Sequence, residues 1–167
     1  LVLLGIPFFI FALYGIMVLY HVRGTRPEAS IESITFEPFV SIVIPTHNEE
    51  LIISKKINNL LDSEYPNKKL EIIFVDDSDD STPKIIQEYV KKYRNIRLIS
   101  YPQRMGYSPC MIAGCKAAKG EIIIFGDAGS FIEPKTISNL VRHFQRPNIG
   151  AVTGSSRILN INEEVGR

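Results

Sequence analysis

The stretch that decides the fold runs from Val40 to Glu50 and reads VSIVIPTHNEE. Val40 to Ile44 is dominated by β-branched residues, a pattern typical of a strand buried on both faces of a parallel sheet. Pro45 ends this run, and the next residues, Thr46 to Glu49, are polar. Apolar residues then recur at helical spacing, at Ile53, Ile57, Leu60 and Leu61. The stretch therefore predicts a buried strand that continues through a polar loop into a helix.

The same alternation of strand and helix patterns continues along the chain. Further strands are predicted at Leu70–Val75, Ile96–Ser100, Glu121–Phe125 and Ile149–Thr153. Helices are predicted from Thr82, which is suited to cap the helix, to Tyr93, from Ser108 to Ala118, and from Pro134 to Phe144. Strands that alternate with helices at this spacing need crossover connections. The predicted fold class is therefore α/β, with a mostly parallel sheet and helices on both faces.

The N-terminal region is apolar and precedes this pattern. Leu1 to Tyr20 contains no charged residue, and about 20 apolar residues in a helix span a hydrocarbon core of about 30 Å. We therefore predict a transmembrane helix at 1–22 and a linker at 23–39, with a cleaved signal peptide or a buried helix as alternatives. His21, Arg23 and Arg26 follow the apolar run. The positive-inside rule then predicts a cell-membrane protein whose domain at 40–167 is cytoplasmic.

Composition excludes several classes of protein. The chain has 167 residues and a net charge of +1, with 19 Lys and Arg against 18 Asp and Glu. It therefore lacks the basic footprint of a nucleic-acid binder, and no nucleic-acid partner is expected. Cys110 and Cys115 alone make no structural zinc site, and we expect them to be reduced thiols. No glycine-rich phosphate loop follows the first strand, which argues against dinucleotide-dependent oxidoreductases and P-loop NTPases.

Polar clusters follow the first, second and fourth predicted strands. They are Thr46–Glu49, Asp76–Asp80 and Gly126–Ser130. Because ligands of open α/β sheets bind beyond the carboxyl ends of the strands, these clusters predict one site at one edge. A structural alternative exists for some of these residues. Thr46 and Asn48 are suited to cap the following helix, and Asp79 and Asp80 to start the next one.

The chain resembles family-2 glycosyltransferases of the GT-A (Rossmann-like) fold from about Val40 onward. The resemblance rests on VSIVIPTHNEE, EIIFVDDSDDSTPKII, AKGEIIIFGDAGSFIEP and NIGAVTGSSRILN, which stand in the order and spacing of that family. The last segment, with an apolar helix ahead of the domain, is similar to the processive hyaluronan-, chitin- and cellulose-synthase-like branch. The chain then corresponds to an N-terminal fragment of such an enzyme.

The resemblance implies a role for individual residues. Asp77, with Asp76 beside it, matches the carboxylate that holds the uracil and ribose. Asp127 matches the first aspartate of a D-x-D motif, whose carboxylates hold Mg²⁺ or Mn²⁺ at the diphosphate. Arg104 is placed to offer a cation to the diphosphate. The nucleotide-binding residues implied are Pro45, Thr46, Asn48, Glu49, Asp76, Asp77, Arg104 and Asp127.

The sequence departs from the family pattern at several positions. The second carboxylate of the D-x-D motif is replaced by Gly129, and Ser130 offers only a hydroxyl. Tyr107 and Ile112 stand where relatives commonly carry Lys and Asn. The resemblance places the general base and the acceptor-binding motif beyond Arg167. Glu133 stands before Pro134 at a predicted helix start, a context in which a structural role is expected.

The functional expectation is an inverting hexosyltransferase anchored in the membrane. It would transfer a sugar from a nucleotide-diphosphate sugar, in the first place a UDP-sugar, to a growing polysaccharide or a glycolipid. One alternative is a relative that transfers a single sugar to a polyprenyl phosphate. Another is a degenerate domain that binds a nucleotide, or only a partner protein, without catalysis, and the residues Gly129 and Tyr107 favour it.

Overall fold

A computed structural model of the chain describes residues 11–19 and 36–156. The chain divides into two units, residues 1–34 and 35–167. Residues 11–19 of the first unit are helical. Within the described ranges, no helix is both long enough and apolar enough to span a bilayer. Most of the predicted membrane helix and linker, and the chain after residue 156, lie outside the described residues.

The second unit is built on one parallel sheet. Its strands are β1 (Val40–Thr46), β2 (Leu70–Asp76), β3 (Ile96–Ser100) and β4 (Ile122–Phe125). Their spatial order is β3-β2-β1-β4, and every neighbouring pair is parallel. The central strands β1 and β2 are buried along almost their whole length, as their apolar runs predict. The predicted parallel sheet is therefore confirmed.

Helices connect the strands, as parallel pairing requires. They are α1 (Ile53–Leu61), α2 (Thr82–Lys92), α3 (Tyr107–Ala117) and α4 (Thr136–Val141), with 3₁₀ turns at Asn67–Lys69 and Arg142–Gln145. Each α-helix lies where the sequence pattern predicts one, with ends that differ by at most three residues. The last predicted helix is divided, because α4 ends at Val141 and a 3₁₀ turn follows it.

The two faces of the sheet are covered by different helices. On one face, alternate strand residues such as Ile42, Ile44 and Phe74 pack with apolar residues of α1, α2 and α4. On the other face, Ile73 and Val75 pack with Cys110 of α3. This division follows from the alternation of side chains along a strand. Helices therefore cover both faces, as predicted, and the polar strand ends remain at one edge.

The predicted fifth strand, Ile149–Thr153, does not form. The chain makes a turn at Pro147 and Asn148, and the Ile149 N–H donates to the Arg146 carbonyl (3.1 Å). That amide is therefore committed to a local turn and not to a strand ladder. Gly150 weakens the pattern further, because it brings no side chain to pack. The prediction of this strand was wrong, and in the described part of the chain the sheet ends at β4.

Gly120 is required where α3 connects to β4. A Cβ atom at this position would lie 2.5 Å from Ser41 N and 2.8 Å from Val40 C, both backbone atoms. We expect Gly120→Ala to lower the free energy of unfolding by about 1–3 kcal/mol, because the backbone has to shift. Urea denaturation measures this loss. Gly150→Ala is the control, since nothing lies within 4 Å of its Cβ position. Equal stabilities of the two variants would contradict the close packing at Gly120.

Candidate functional site

Three polar clusters meet at the carboxyl ends of the central strands. The last register pair of β1 and β2 is Thr46 with Asp76. On the other side of β1, the Gly126 N–H donates to the Val43 carbonyl (3.1 Å), so Asp127 follows directly beyond β4. The structure therefore brings the three predicted clusters to one edge of the sheet.

The ends of β1 and β2 are joined by buried hydrogen bonds at Asp76. Its carboxylate accepts from the Thr46 hydroxyl (2.7 Å) and from the Ser78 hydroxyl (2.7 Å) and N–H (3.2 Å). Asp76 is fully buried, and Thr46 is nearly so. Buried polar groups of this kind need internal partners. In this structure both residues therefore hold the strand ends together.

The loops beyond these strands are also joined to each other. Asn48 has a backbone φ of 55°, a left-handed conformation that Asn adopts more readily than most residues. Its N–H donates to the Ser78 hydroxyl (2.8 Å), and its side-chain oxygen accepts from the Asp79 N–H (3.1 Å). The Glu49 N–H donates to the Thr82 hydroxyl (2.9 Å). The loops of β1 and β2 thus form one layer.

The capping roles considered for these loops are settled by the same contacts. Helix α1 starts after Ile52 without a side-chain cap, so Thr46 and Asn48 do not cap it. Helix α2 begins at Thr82, whose hydroxyl bonds to the β1 loop and not to its own helix. Asp80 accepts from the Thr82 N–H (2.8 Å), which confirms its predicted role at the helix start.

Asp77 is a second buried carboxylate of the site that is held by several hydrogen bonds. One oxygen accepts from the N–H groups of Met105 and Gly106, each at 2.8 Å. The other lies 3.0 Å from His47 Nδ1, and because a carboxylate can only accept, this nitrogen carries the proton. Burial raises the pKa of Asp77, but the hydrogen bonds from Gly106, Met105 and His47 outweigh burial and lower it.

Asp77 therefore positions other parts of the site. It joins the β2 loop to the start of α3 and orients the half-exposed imidazole of His47. Most of its acceptor capacity is used inside the protein, so a nucleotide would meet the groups around Asp77 more readily than its oxygens. The sequence places His47 in the polar cluster but provides no signal for this pairing.

Asp127 differs from Asp76 and Asp77 because it is exposed. Its Oδ1 accepts from the Tyr107 hydroxyl (3.4 Å). Its carbonyl accepts from the Ser130 N–H (3.4 Å) and hydroxyl (3.2 Å), which closes the turn 127–130. Ala128 of this turn is buried, whereas Gly129 has open space around it. Asp127 is thus available to a ligand.

Lys56 is a site residue that sequence reasoning missed. It lies on α1 with 1% of its surface exposed, and its ammonium donates to the Ser130 carbonyl. Burial lowers the pKa of Lys56 to about 8, and the charge of Asp127 opposes this shift. A signal was present in the sequence, because Lys56 falls on the apolar face that Ile53, Ile57 and Leu60 define.

The chain that follows the turn is bound along α1. Asn59 donates its side-chain amide to the Ile132 carbonyl and accepts from the Ile132 N–H, both at 2.9 Å. Farther on, the Glu64 N–H donates to the Pro134 carbonyl (3.0 Å). Together with Lys56, these contacts attach residues 130 and 132 to α1 and residue 134 to the chain just after that helix. We refer to residues 130–134 as the strap.

The remaining predicted residues lie at the rim of the site. Pro45 is half-buried and in register with Val75, next to the loops. Arg104 is exposed, directly before the two N–H groups that bind Asp77. Glu133 is exposed, and its backbone carbonyl accepts from the Thr136 N–H at the start of α4 (3.0 Å). The structural role of its side chain stays a prediction. Ile112 lies exposed on α3.

The donor set fits the implied Mg²⁺ or Mn²⁺ poorly. Around the turn 127–130, Asp127 is the carboxylate, Gly129 has no side chain, and Lys56 is a cation. No group of three or more His, Cys, Asp and Glu side chains suited to a metal ion occurs among the described residues. Divalent cations of this class prefer several oxygen ligands, of which carboxylates are the strongest. The turn as it stands supplies one.

A charged network occupies the opposite edge of the sheet. The Glu71 carboxylate accepts from the Ser41 hydroxyl (2.6 Å), the Lys119 N–H (2.6 Å) and Arg97 (3.0 Å). An open cleft of about 730 Å³ lies beside this network and is lined in part by exposed lysines. Because these polar groups bond to one another, the network explains the connection from α3 to β4. The candidate functional site is therefore at the carboxyl ends of the strands and not at this network.

Asp77→Asn tests the role of the Asp77 carboxylate. The pKa of Asp77 in the folded chain is below its ordinary value of 3.8, so its contribution to stability is full above that value and is lost as pH falls through the folded pKa. We expect the variant to be less stable by about 1–3 kcal/mol at pH 7. Denaturation across the acidic range should show this difference shrinking. The exposed Asp79→Asn is the control, and an equal loss in both would contradict the role.

Lys56→Met tests the burial of the ammonium. Between the folded pKa of about 8 and the ordinary value of 10.5, the unfolded chain holds a proton that the folded chain has released. The unfolding free energy of the unchanged chain should therefore rise with pH relative to Lys56→Met, by about 1.4 kcal/mol per pH unit in this range. Denaturation at several alkaline pH values measures the slope. Lys55→Met, which removes an exposed charge, should show no such slope.

Known proteins resemble this chain in sequence and in fold. Beta-monoglucosyldiacylglycerol synthase of Trichormus variabilis is 36% identical over 129 residues, which cover 75% of this chain and 28% of that protein. A mannosyltransferase from Pyrobaculum calidifontis, solved in complex with GDP-Man and Mn²⁺, superposes with a TM-score of 0.73 at 28% identity, covering 87% of this chain and 45% of that one.

A further structural relative is S. aureus TarS 1–349 in complex with UDP-GlcNAc. Its TM-score is 0.56 at 28% identity, and the match covers 60% of this chain and 29% of that one. The chain spans less than half the length of each of these relatives. The predicted GT-A-like α/β arrangement agrees with these superpositions. The profile described as glycosyl transferase family 2 matches residues 41–165, and the chain belongs to that family.

Proposed function

We propose that this chain is the donor-binding part of an inverting glycosyltransferase that uses a nucleotide-diphosphate sugar. The observation that carries the proposal is the meeting of three polar clusters at one edge of the sheet, with Asp77 buried in hydrogen bonds and Asp127 exposed. One carboxylate organises the loops, and the other faces outward to a ligand. Such a crevice beyond the strand ends is where open α/β sheets bind nucleotides.

The two solved relatives support a nucleotide-sugar donor. One is described with GDP-Man and the other with UDP-GlcNAc. We take a UDP-sugar as the first candidate for this chain, because Asp77 matches the carboxylate that holds uracil and ribose in the family that the sequence resembles. GDP is the alternative nucleotide. In either case the base lies against the loops that contain His47 and Asn48.

Different residues of the site are assigned to the base and to the diphosphate of the donor. The loop layer of β1 and β2 is fixed by Asp76 and Asp77, so His47 can contact the base without first having to be ordered. Arg104 offers a positive charge at the rim toward the diphosphate. Asp127 lies where the sugar and the phosphates meet. Because this turn supplies one carboxylate, it fits a Mg²⁺ or Mn²⁺ ion poorly, and no step is assigned to such an ion.

The reaction proposed is displacement at the anomeric carbon. An acceptor hydroxyl forms the new glycosidic bond, the bond to the nucleoside diphosphate breaks, and the configuration inverts. No described residue is assigned as the general base that takes the hydroxyl proton. We propose a glycolipid or a growing polysaccharide as acceptor, and a glycolipid is favoured by the relative described as a diacylglycerol glycosyl synthase. Membrane anchoring through the N-terminal region and a cytoplasmic site belong to the same proposal.

A degenerate nucleotide-binding domain is the second candidate. The observation that favours it is the turn at Asp127, where Gly129 brings no carboxylate and Tyr107 binds the one that remains. Such a domain would bind nucleotide without transferring a sugar. Transfer to a polyprenyl phosphate is a third candidate and differs from the first only in the acceptor.

Titration calorimetry of the full chain in mild detergent tests the donor site. We expect UDP to bind, and Asn48→Ala to weaken binding by about 1–2 kcal/mol, because the loop layer loses its link to Asp79. Gln87→Ala, on α2, is the matched control and should bind UDP normally. GDP titrated in parallel tests the choice of base.

The outcomes distinguish the candidates. Binding of UDP without hydrolysis of UDP-sugars or transfer from them, in the full-length protein, would favour the degenerate domain. Failure of a folded chain to bind either UDP or GDP would contradict the proposal. A cooperative unfolding transition of the same sample shows that the chain is folded.

A further inference from the structure

The turn 127–130 is supported from beneath by a buried cation. Lys56 reaches it from α1, and its ammonium donates to the Ser130 carbonyl. Among the described residues, this carbonyl is the hydrogen-bond acceptor of the ammonium. A lysine that is 1% exposed is unusual, because lysine is almost never fully buried without a charge partner. The nearby charge that acts on it is that of Asp127.

The charges at this turn differ from those of a two-carboxylate metal site. Such a site brings two negative charges, which a divalent cation neutralises. Here Asp127 brings one negative charge, Gly129 brings none and Lys56 brings one positive charge. A divalent cation at Asp127 would thus be repelled by an ammonium that is shielded from water, where charges interact more strongly. The anionic diphosphate of a donor would be attracted by the same ammonium.

We propose that Lys56 supplies the positive charge at this turn, so that a nucleoside diphosphate binds there without a divalent cation. The proposal rests on the nucleotide-binding function proposed above and specifies how the diphosphate is held. Lys56 acts as a positioning residue, since it is buried and influences the ligand through the turn. The hydrogen bonds of Lys56 and Asn59 to the strap hold the Lys56 ammonium beneath the turn of Asp127.

The second carboxylate that is missing at Gly129 can be introduced by mutation. Gly129 does not have a positive φ, and nothing lies within 4 Å of the position of its Cβ atom. A Cβ atom therefore meets no neighbour at this position, and we expect the chain to accommodate an aspartate there. Gly129→Asp restores the two-carboxylate pattern above Lys56, and Gly129→Asn has nearly the same shape without the charge. This pair isolates the effect of charge from that of volume.

The test compares the binding of UDP and GDP in EDTA with their binding in Mn²⁺, using calorimetry on the full chain. We expect the unchanged chain to bind equally well in both buffers. Lys56→Met should weaken binding in EDTA about tenfold, and Mn²⁺ should recover part of this loss, because the ammonium no longer repels a cation held between Asp127 and the diphosphate. The exposed Lys68→Met, at the other end of the sheet, should change binding about twofold at most. A purely structural role of Lys56 would weaken binding equally in both buffers and would overturn the proposal.

Direct binding of Mn²⁺ provides a second readout that needs no nucleotide. The paramagnetic resonance signal of free Mn²⁺ falls when the ion binds to protein. We expect no fall with the unchanged chain or with Gly129→Asn, and a fall with the double variant Gly129→Asp, Lys56→Met. Binding of Mn²⁺ by the unchanged chain as strong as by the double variant would overturn the proposal.

The outcomes separate this proposal from the proposed function. If the unchanged chain binds UDP or GDP only with Mn²⁺, the function stands and the role of Lys56 is wrong. If a folded chain binds neither nucleotide in either buffer, the proposed function fails and this inference fails with it. Urea denaturation of each variant shows whether a loss of binding comes from unfolding.

Discussion

The parallel pairing of β1 with β2 is the constraint on which the rest of the structure depends. It brings Thr46 beside Asp76 as the last register pair, and the hydrogen bond between their side chains (2.7 Å) lies in the interior. A buried carboxylate has to be surrounded by donors, because an unpaired one is costly. The donors are Thr46 at the end of β1 and Ser78 in the loop after β2. The two loops are thereby held side by side, and the surface where a base can lie follows from how the sheet ends.

Burial determines which carboxylates at this edge of the sheet are available to a ligand. Asp76 and Asp77 are buried and hydrogen-bonded inside the protein, whereas Asp127 is exposed. The sequence motifs suggest a ligand-binding role for each of these aspartates, but their surroundings in the structure differ. Asp77 is bound by two N–H groups at the start of α3, and the next residue, Tyr107, contacts Asp127. The loop before α3 therefore connects the end of β2 with the end of β4. A change at either carboxylate is expected to reach the other through this loop.

Helix α1 packs in the core, and it nevertheless contributes a residue to the candidate site. One face packs apolar residues on the sheet, and the same face carries Lys56 under the turn of Asp127. The strap extends this contact through Asn59. A helix in the core thus sets the position and the charge of the chain beyond β4. This arrangement explains how a family-2 domain with Gly129 in place of a carboxylate retains an ordered turn at that point.

The sequence by itself determined the parallel α/β sheet, the helices on both faces and the edge at which the polar clusters meet. Continuous apolar runs and helical spacing are local patterns, so they are readable without coordinates. The fifth strand was wrong, because the turn at Pro147 and the weak strand pattern at Gly150 compete with pairing to a short edge strand. The tertiary structure alone decided which carboxylates are saturated and that Lys56 lies beneath Asp127. Those properties depend on hydrogen bonds and burial between residues 28 to 74 positions apart, which no local pattern contains.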